Sequence, residues 1–533
     1  MLAGNMMQEP LLISSILSHA VQTSPDQCIV TALDGGEYHE YDYTQFNGRV
    51  RQLAQALLRR GIAPGDRVAT LAWNTYRHLE IYYAVSGIAA VCHTVNPRLY
   101  PEQIAFIIND AKDRIVFVDT HFRDLVERLR PQCPCVEEWV WLEKGDETAL
   151  TAPFSRYDAW LAEDDPTFDW PVFDENTAAG LCYTSGTTGN PKGALYSHRS
   201  TILHAWAICH PDGLNVSCRD VVLPVVPMFH VNAWGLPYAS LLSGAKLALP
   251  GANLRGEAVY ALCEHAGVTM SAGVPTVWQG VLDHVTQNRL RFSTLRRLVI
   301  GGSACPAHMI KAYAEADVKV SHAWGMTEVS PVGTVCTLLP EHDNLPEAKK
   351  LAILATQGRP LFGVQIKVTD DEGHCLPWDG QTAGNLMIRG NWVIERYYNK
   401  PDTALDGGWF ATGDVASVDG NGYVRITDRS KDVIKSGGEW ISSIAMENIA
   451  MEHPAVQIAA CIARKDEKWG ERPMLAVVLR QGMQATEQDI LDLYRDRVER
   501  WAAPDSVFFI EEMPLTATGK IQKSELRKRY PMS

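Results

Sequence analysis

No uninterrupted apolar run in this sequence reaches the roughly 20 residues that a membrane-spanning helix needs, so stable membrane insertion is not expected, although peripheral contact stays open. Paired cysteines are missing too. The 12 Cys are scattered, the closest two are Cys133 and Cys135, and there is no CxxC. A zinc or disulfide framework is therefore not expected, and reduced, mostly buried thiols suit a cytoplasmic compartment. Positive charge is in deficit, with 49 Lys+Arg against 63 Asp+Glu and a formal net charge of −14. Binding nucleic acid through phosphate neutralisation, or a broad anionic membrane surface, would need the opposite balance. The N-terminus has no basic start, and Glu9 and Pro10 interrupt it, so it does not read as an export signal. Repeats and low-complexity segments are absent.

What remains is a soluble globular balance, 46% hydrophobic and 21% charged, over 533 residues. That length exceeds what one core usually supports. In "TQFNGRVRQLAQALLRRG", Phe46, Val50, Leu53, Leu57 and Leu58 mark one helical face, with Thr44 as expected N-cap and Gly61 as stop. "DRVATLAW" reads as a strand, "RHLEIYYAVSGIAA" as a helix and "RIVFVD" as a buried strand. Such alternation predicts α/β layers around parallel sheet. From Asp370 to Arg425, turns such as "DDEG", "WDG" and "VDGNG" separate short strands, which predicts a small β-rich subdomain. After "DRSKDVIKSGGEW" the chain reads as a compact α+β unit with a long helix over "EQDILDLYRDRVERW". The expected organisation is a large multi-subdomain N-terminal domain, 1–430, and a small mobile C-terminal domain, 431–533.

The densest chemical signal is "LCYTSGTTGNPKGALYSHRS", Leu181 to Ser200. Its glycines permit close backbone approach to an anion, Thr184, Ser185, Thr187 and Thr188 add hydroxyls, and Lys192 adds charge. "AAGLCYT" before it reads as a strand and "HRSTILHAWAI" after it as a helix, which places a phosphate loop between strand and helix. The spacing fits neither GxxxxGK[ST] nor GxGxxG. On composition alone an ordinary Ser/Gly-rich surface loop is an equal reading.

The string "YTSGTTGNPKG" closely resembles the signature loop of the adenylate-forming superfamily, which includes acyl-CoA synthetases, luciferases and the adenylation domains of peptide synthetases. Further motifs follow in that family's order: "PMFHVNAWG" (227–235), "GGSACP" (301–306), "HAWGMTE" (322–328), "GWFATGD" (408–414), "DRSKDVIKSGGEWIS" (428–442) and "PLTATGKIQK" (514–523). The branch it resembles contains medium- and long-chain fatty acyl-CoA synthetases and methylthiopropionate–CoA ligases.

The resemblance implies an ATP-dependent acid–CoA ligase working through acyl-AMP, with a small-molecule carboxylic acid, ATP and CoA as substrates, Mg²⁺ as cofactor and a homodimer as assembly. An aryl acid as substrate, a carrier protein as acyl acceptor and a non-catalytic nucleotide sensor are the competing readings. By resemblance, the loop Thr184, Ser185, Gly186, Thr187, Thr188, Gly189 and Lys192 holds the β- and γ-phosphates. Glu328 holds Mg²⁺ with Thr184 as second partner. Gly302, Ser303 and Ala304, with His322, Ala323, Trp324, Gly325 and Met326, form the adenine side. Trp324 stands where the family often has Tyr, which keeps a stacking face and puts the Tyr hydroxyl's hydrogen bond in doubt. Thr327 faces the α-phosphate or the acyl carboxylate.

The resemblance assigns the ribose hydroxyls to Asp414, assisted by Arg429. It puts His230 beside the reacting carboxylate and Trp234 as a gate to the acyl site, with Val274 and Gly325 on the acyl wall. For His230 and Trp234 a plain core role is the alternative, as it is for Val277 and Trp278. A helical stretch would put His230 and Trp234 on one face. Lys520 is the expected catalytic lysine, bridging carboxylate and α-phosphate oxygens. Lys431 is the expected hinge, and Gly437, Gly438, Glu439 and Trp440 the expected CoA-binding segment.

Overall fold

The computed structural model describes residues 2–143, 153–162, 164–184, 190–429, 432–436, 439–466, 468–495, 497–515 and 521–530, with Lys435, Glu439 and Trp440 described by backbone alone. Among these, the strands form four sheets. Six parallel strands run through a nine-stranded sheet, in the order Lys319–Gly325, Arg297–Gly301, Met270–Gly273, Val221–Pro224, Lys246–Leu249, Cys28–Ala32. Antiparallel strands close both edges. A seven-stranded sheet is parallel from Phe154–Arg156 through to Ala178–Tyr183, and antiparallel only where Gly193–Ser197 is added. The α/β expectation holds, and so does the β-rich subdomain. Five strands between Val364 and Arg429 form an antiparallel sheet of their own.

The fourth sheet uses only strands from Ile434 onward, over a separate hydrophobic cluster around Ile434, Cys461, Leu475 and Tyr494. The two large sheets share one core instead, in which the all-buried helix Tyr76–Gly87 joins Ile29 and Leu247 of one sheet to Val68 and Cys92 of the other.

Local details differ from expectation in instructive ways. The helix Tyr43–Arg59 is capped by Asp42, not Thr44. Asp42 accepts from the Gln45 N–H and Gln45 reaches back, a capping box that contributes about 1 kcal/mol. Thr44 instead has its hydroxyl on the Pro25 carbonyl. Leu58 is exposed, because the buried face continues through Ala54 and Ala56 rather than through it. The helix expected over 487–501 is short. Glu487–Leu491 passes into a tight turn to Tyr494, and Arg495 is extended.

Candidate active site

The signature loop springs from a hairpin. Strands Ala178–Tyr183 and Gly193–Ser197 pair antiparallel with Tyr183 opposite Gly193, and the helix His198–Cys209 starts only after the return strand. The expected strand-to-helix setting is therefore corrected, since a return strand stands between the loop and the helix. The loop is pinched shut by the Thr184 N–H donating to the Lys192 carbonyl at 2.9 Å, and the Lys192 N–H donating to Thr184 Oγ1 at 3.3 Å. Lys192 Nζ sits 4.9 Å from the Tyr397 ring centroid, a cation–π contact that restrains the long side chain. Ser185, Gly186, Thr187, Thr188 and Gly189 lie outside the described residues.

Thr184 and Lys192 open onto a cavity of about 630 Å³. Every predicted site residue whose side chain is described also lines it. Two neighbouring parallel strands end there. Arg297–Gly301 delivers Gly302, Ser303 and Ala304, and its neighbour Lys319–Gly325 delivers His322 to Gly325, leading into Met326, Thr327 and Glu328. Ligand sites outside the carboxyl ends of parallel strands are what open α/β sheets provide. His322 is buried, with Nδ1 3.2 Å from the Ala355 carbonyl, and burial pushes its pKa down. It is a neutral ring that donates to that carbonyl.

Glu328 is 7% exposed, and its Oε1 accepts from the Tyr397 hydroxyl at 2.8 Å. Among the described residues no Lys or Arg pairs with it. Burial, with the Glu328 charge second, pushes the Tyr397 phenol well above its ordinary range, so it stays a donor. The Tyr196 hydroxyl donates to the Thr327 carbonyl at 2.7 Å, and the Ile394 N–H to the Glu328 carbonyl at 2.9 Å, which fixes this turn from both sides. Asp414, 2% exposed, accepts from the Trp324 indole N–H at 2.8 Å on Oδ2 and forms an ion pair through Oδ1 with Arg429, whose Nε is 2.8 Å away.

His230 and Trp234 do share the cavity, but not through a right-handed helix. Val231, Asn232, Ala233 and Trp234 all have φ between 42° and 58°, one left-handed turn without a glycine until Gly235. At roughly 1–2 kcal/mol per residue, such a turn costs on the order of 4–8 kcal/mol. Strain of that kind persists only where the surroundings dictate it. Here all five residues are buried. The Asn232 carboxamide oxygen meets the Tyr82 hydroxyl at 3.4 Å and Cys182 Sγ at 3.5 Å. Upstream, the Asn74 side chain holds the segment by three bonds, to the Pro224 and Val226 carbonyls and the Met228 N–H, all within 2.9 Å. The tip of the Trp234 ring rests against Gly301, where a Cβ would lie 3.1 Å from Cη2. Trp278, by contrast, is core, packed edge-on to Tyr313.

Sequence reasoning missed Asn74, Tyr82, Tyr196 and Tyr397, the residues that hold the site from behind. Their partners lie 69 to 154 positions away, and no local pattern marks them. It also missed the far wall, where Ile444, Glu447, Ile521 and Lys523 of the C-terminal segment close the cavity over Asp428 and Arg429. Lys431, Gly437, Gly438 and Lys520 lie outside the described residues.

A model described as "AMP-binding enzyme" matches residues 17–398, and one described as "AMP-binding enzyme C-terminal domain" matches 445–520. The chain belongs to the AMP-binding enzyme family. It is 48% identical to a 3-methylmercaptopropionyl-CoA ligase of Ruegeria lacuscaerulensis, over 99% of this chain and 98% of that one. To a medium-chain-fatty-acid–CoA ligase of Ectopseudomonas oleovorans it is 47% identical over 99% and 97%. Among solved structures of this family, the anthranilate CoA ligase AuaEII in complex with anthranoyl-AMP superposes with a TM-score of 0.87 at 25% identity, covering 98% of each chain.

Proposed function

We propose that this AMP-binding enzyme is an ATP-dependent acid–CoA ligase that activates a medium- or long-chain aliphatic acid as acyl-AMP and transfers it to CoA. The observation that carries the reading is one cavity. It gathers the Thr184–Lys192 pinch, the buried Glu328, the Asp414–Arg429 pair and the strained His230–Trp234 turn. An acid carboxylate oxygen forms a bond to the α-phosphorus while the bond to pyrophosphate breaks. CoA sulfur then forms the thioester bond and AMP leaves. Thr184 and Lys192 grip the departing phosphates, Asp414 and Arg429 the ribose, and the turn 302–304 with Trp324 the adenine. His230 flanks the carboxylate, and Trp234 divides nucleotide from acyl chain. Lys520, from a C-terminal domain beginning near 431 and hinged at Lys431, supplies charge to the adenylation step, and Gly437–Trp440 supplies the CoA passage. Preorganised charge of this kind is where such catalysis gains most.

Glu328 fits a hard cation. It is a buried carboxylate whose described partner is a neutral hydroxyl, and the Thr184 hydroxyl lines the same cavity. Mg²⁺ held by Glu328 and Thr184 would supply charge neutralisation to the phosphates when bound. A homodimer and a cytoplasmic location complete the proposal. The 12 cysteines, all free, suit a reducing compartment.

For acyl length, a second cavity of about 530 Å³ is lined by Leu203, Trp206, Leu361 and Trp392 together with Arg359 and Asp212. Val332 lines the first cavity, and the Trp392 indole N–H donates to the Val332 carbonyl at 3.1 Å. That nearby volume supports a long tail. The 48% relative that ligates 3-methylmercaptopropionate supports a short thioether acid as the second reading. The test is AMP and pyrophosphate release over a panel of acids, with the product thioester identified by mass spectrometry. Turnover that needs both acid and CoA supports the ligase. Release with no CoA adduct sinks it, and a kcat/KM maximum at methylthiopropionate selects the second reading.

A further inference from the structure

In this chain Trp324 is tied to the site through its edge as well as its faces. Its indole N–H donates to Asp414 Oδ2 at 2.8 Å, while the Arg429 guanidinium forms an ion pair with Oδ1, its Nε 2.8 Å away. The two groups come from different strands, one from the end of Lys319–Gly325 and one from the end of Val424–Arg429. With the indole N–H on one oxygen and the Arg429 guanidinium beside the other, the carboxylate is held from both oxygens. A third restraint comes from the backbone, where the Asp414 N–H donates to Thr412 Oγ1 at 3.1 Å.

The indole has been given room to do this. Trp324 is 7% exposed, and its six-membered ring lies over Gly333 of the neighbouring strand. A Cβ at Gly333 would come within 2.8 Å of Trp324 Cζ3 and 3.2 Å of Ile388. A side chain there would push the bicyclic ring off the line that brings Nε1 to Asp414. Size and donor act together. A phenyl ring has no N–H to give, and an indole without the glycine floor could not reach.

We propose that Trp324 is a positioning residue that orients Asp414 for bidentate acceptance of the two ribose hydroxyls, so that nucleotide sugar recognition depends on the indole N–H. The inference rests on the assignment of the ribose to Asp414. A carboxylate has roughly four acceptor sites, so accepting the indole N–H is compatible with accepting hydroxyls. Those hydroxyls meet it only if its plane is held. A carboxylate free to rotate loses part of that directional gain, because hydrogen bonds weaken steeply away from linearity. The indole thereby serves base and sugar at once, its face toward the adenine side and its edge to the ribose carboxylate.

The experiment compares kcat/KM for ATP, 2′-deoxyATP and 3′-deoxyATP in the wild type, Asp414→Ala, Trp324→Phe and Trp324→Tyr, using acid-dependent pyrophosphate release. Hydrogen bonds to a charged group are worth enough for the wild type to prefer ATP over either deoxy analogue by about tenfold or more. Asp414→Ala removes that preference. Trp324→Phe raises KM for ATP by about tenfold and reduces the ATP-to-deoxyATP ratio at least threefold, while kcat changes less. Loss of stacking alone would slow all three nucleotides equally and leave the ratio intact, which would overturn the inference. A ratio that collapses in Asp414→Ala and stays at the wild-type value in Trp324→Phe overturns the inference and keeps the ribose assignment. A ratio unmoved by Asp414→Ala overturns both. Trp324→Tyr, which restores a donor at a different reach, is expected to recover part of the ratio, and no recovery beyond Trp324→Phe would show that Asp414 needs the indole geometry itself. Since each readout is a ratio within one variant, partial misfolding cancels.

Discussion

Lys523 is almost fully buried between two carboxylates, which makes its removal a sharp test of how the C-terminal wall is held. Its Nζ lies 2.7 Å from Glu447 Oε1, with both side chains 10% exposed, and it also donates to Ser443 Oγ. Ser443 in turn gives its N–H to Asp428 Oδ2 at 2.7 Å, and Glu447 Oε1 accepts the Cys461 N–H at 2.8 Å. Burial works against the ammonium, but Glu447 and Asp428 outweigh it and hold Lys523 above its ordinary range. A raised lysine contributes stability that is fully present below its unfolded pKa near 10.5 and is lost only as pH rises through the higher folded value. It is therefore intact at neutral pH. Lys523→Met strands Glu447 as a buried, unpaired charge, which costs about 3–5 kcal/mol. Lys523→Met with Glu447→Leu removes charge and countercharge together and should recover most of that, because desolvation and attraction disappear as a pair.

The chain is too long for one two-state transition, so the measurement should be local. Hydrogen exchange along Val456–Asp466, which includes the Cys461 amide, reports the opening free energy of this unit. The single variant should exchange at least a hundredfold faster and the double variant within about tenfold of wild type. A double variant as labile as the sum of both singles would refute the reasoning, since the two groups would then act independently.

Tyr397→Phe removes the hydroxyl that orients Glu328. The Mg²⁺ concentration for half-maximal adenylation should rise about 10–100-fold, and an unchanged Mg²⁺ requirement would dissociate Glu328 from the metal. Along a series of straight-chain acids, each added methylene that enters an apolar tunnel should raise kcat/KM about fourfold, from about 0.8 kcal/mol per CH₂. A flat series beyond four carbons would exclude the second cavity as a tail site. His198 and His204 accept the Ile13 and Val332 N–H groups on ring nitrogens, and burial lowers their pKa values to about 4 and about 3. Protonation breaks those bonds. Their stability is therefore present above 6.5 and is lost as pH falls from 6.5 toward 4 and 3, on the order of 3–5 kcal/mol each. Melting temperatures should be flat above pH 7 and fall steeply below 6, and a His204→Asn variant should show a shallower acid limb.

Several features were open to reading from the chain alone. Strand and helix alternation announced α/β layers, because hydrophobic period is a local property. The order of motifs from Thr184 to Lys192, Glu328, Asp414 and Arg429 named an adenylating site, because each motif keeps its chemistry in a few adjacent residues. Local chemistry misled where two neighbours could do the same job. Asp42 caps the helix that Thr44 was expected to cap, and a return strand separates the Gly-rich loop from the helix at His198.

What only the tertiary structure decided is how these pieces are aimed. Val231–Trp234 reads as an ordinary segment, and the left-handed turn exists because Asn74, Tyr82 and Cys182, from other elements, fix the chain around it. Trp324 reads as a substitution that loses a hydroxyl, yet folding brings its N–H to a carboxylate 90 residues away. Sequence sets which groups are available because side-chain chemistry is carried residue by residue. Direction, which a hydrogen bond requires, arises only when distant segments fix one another in space.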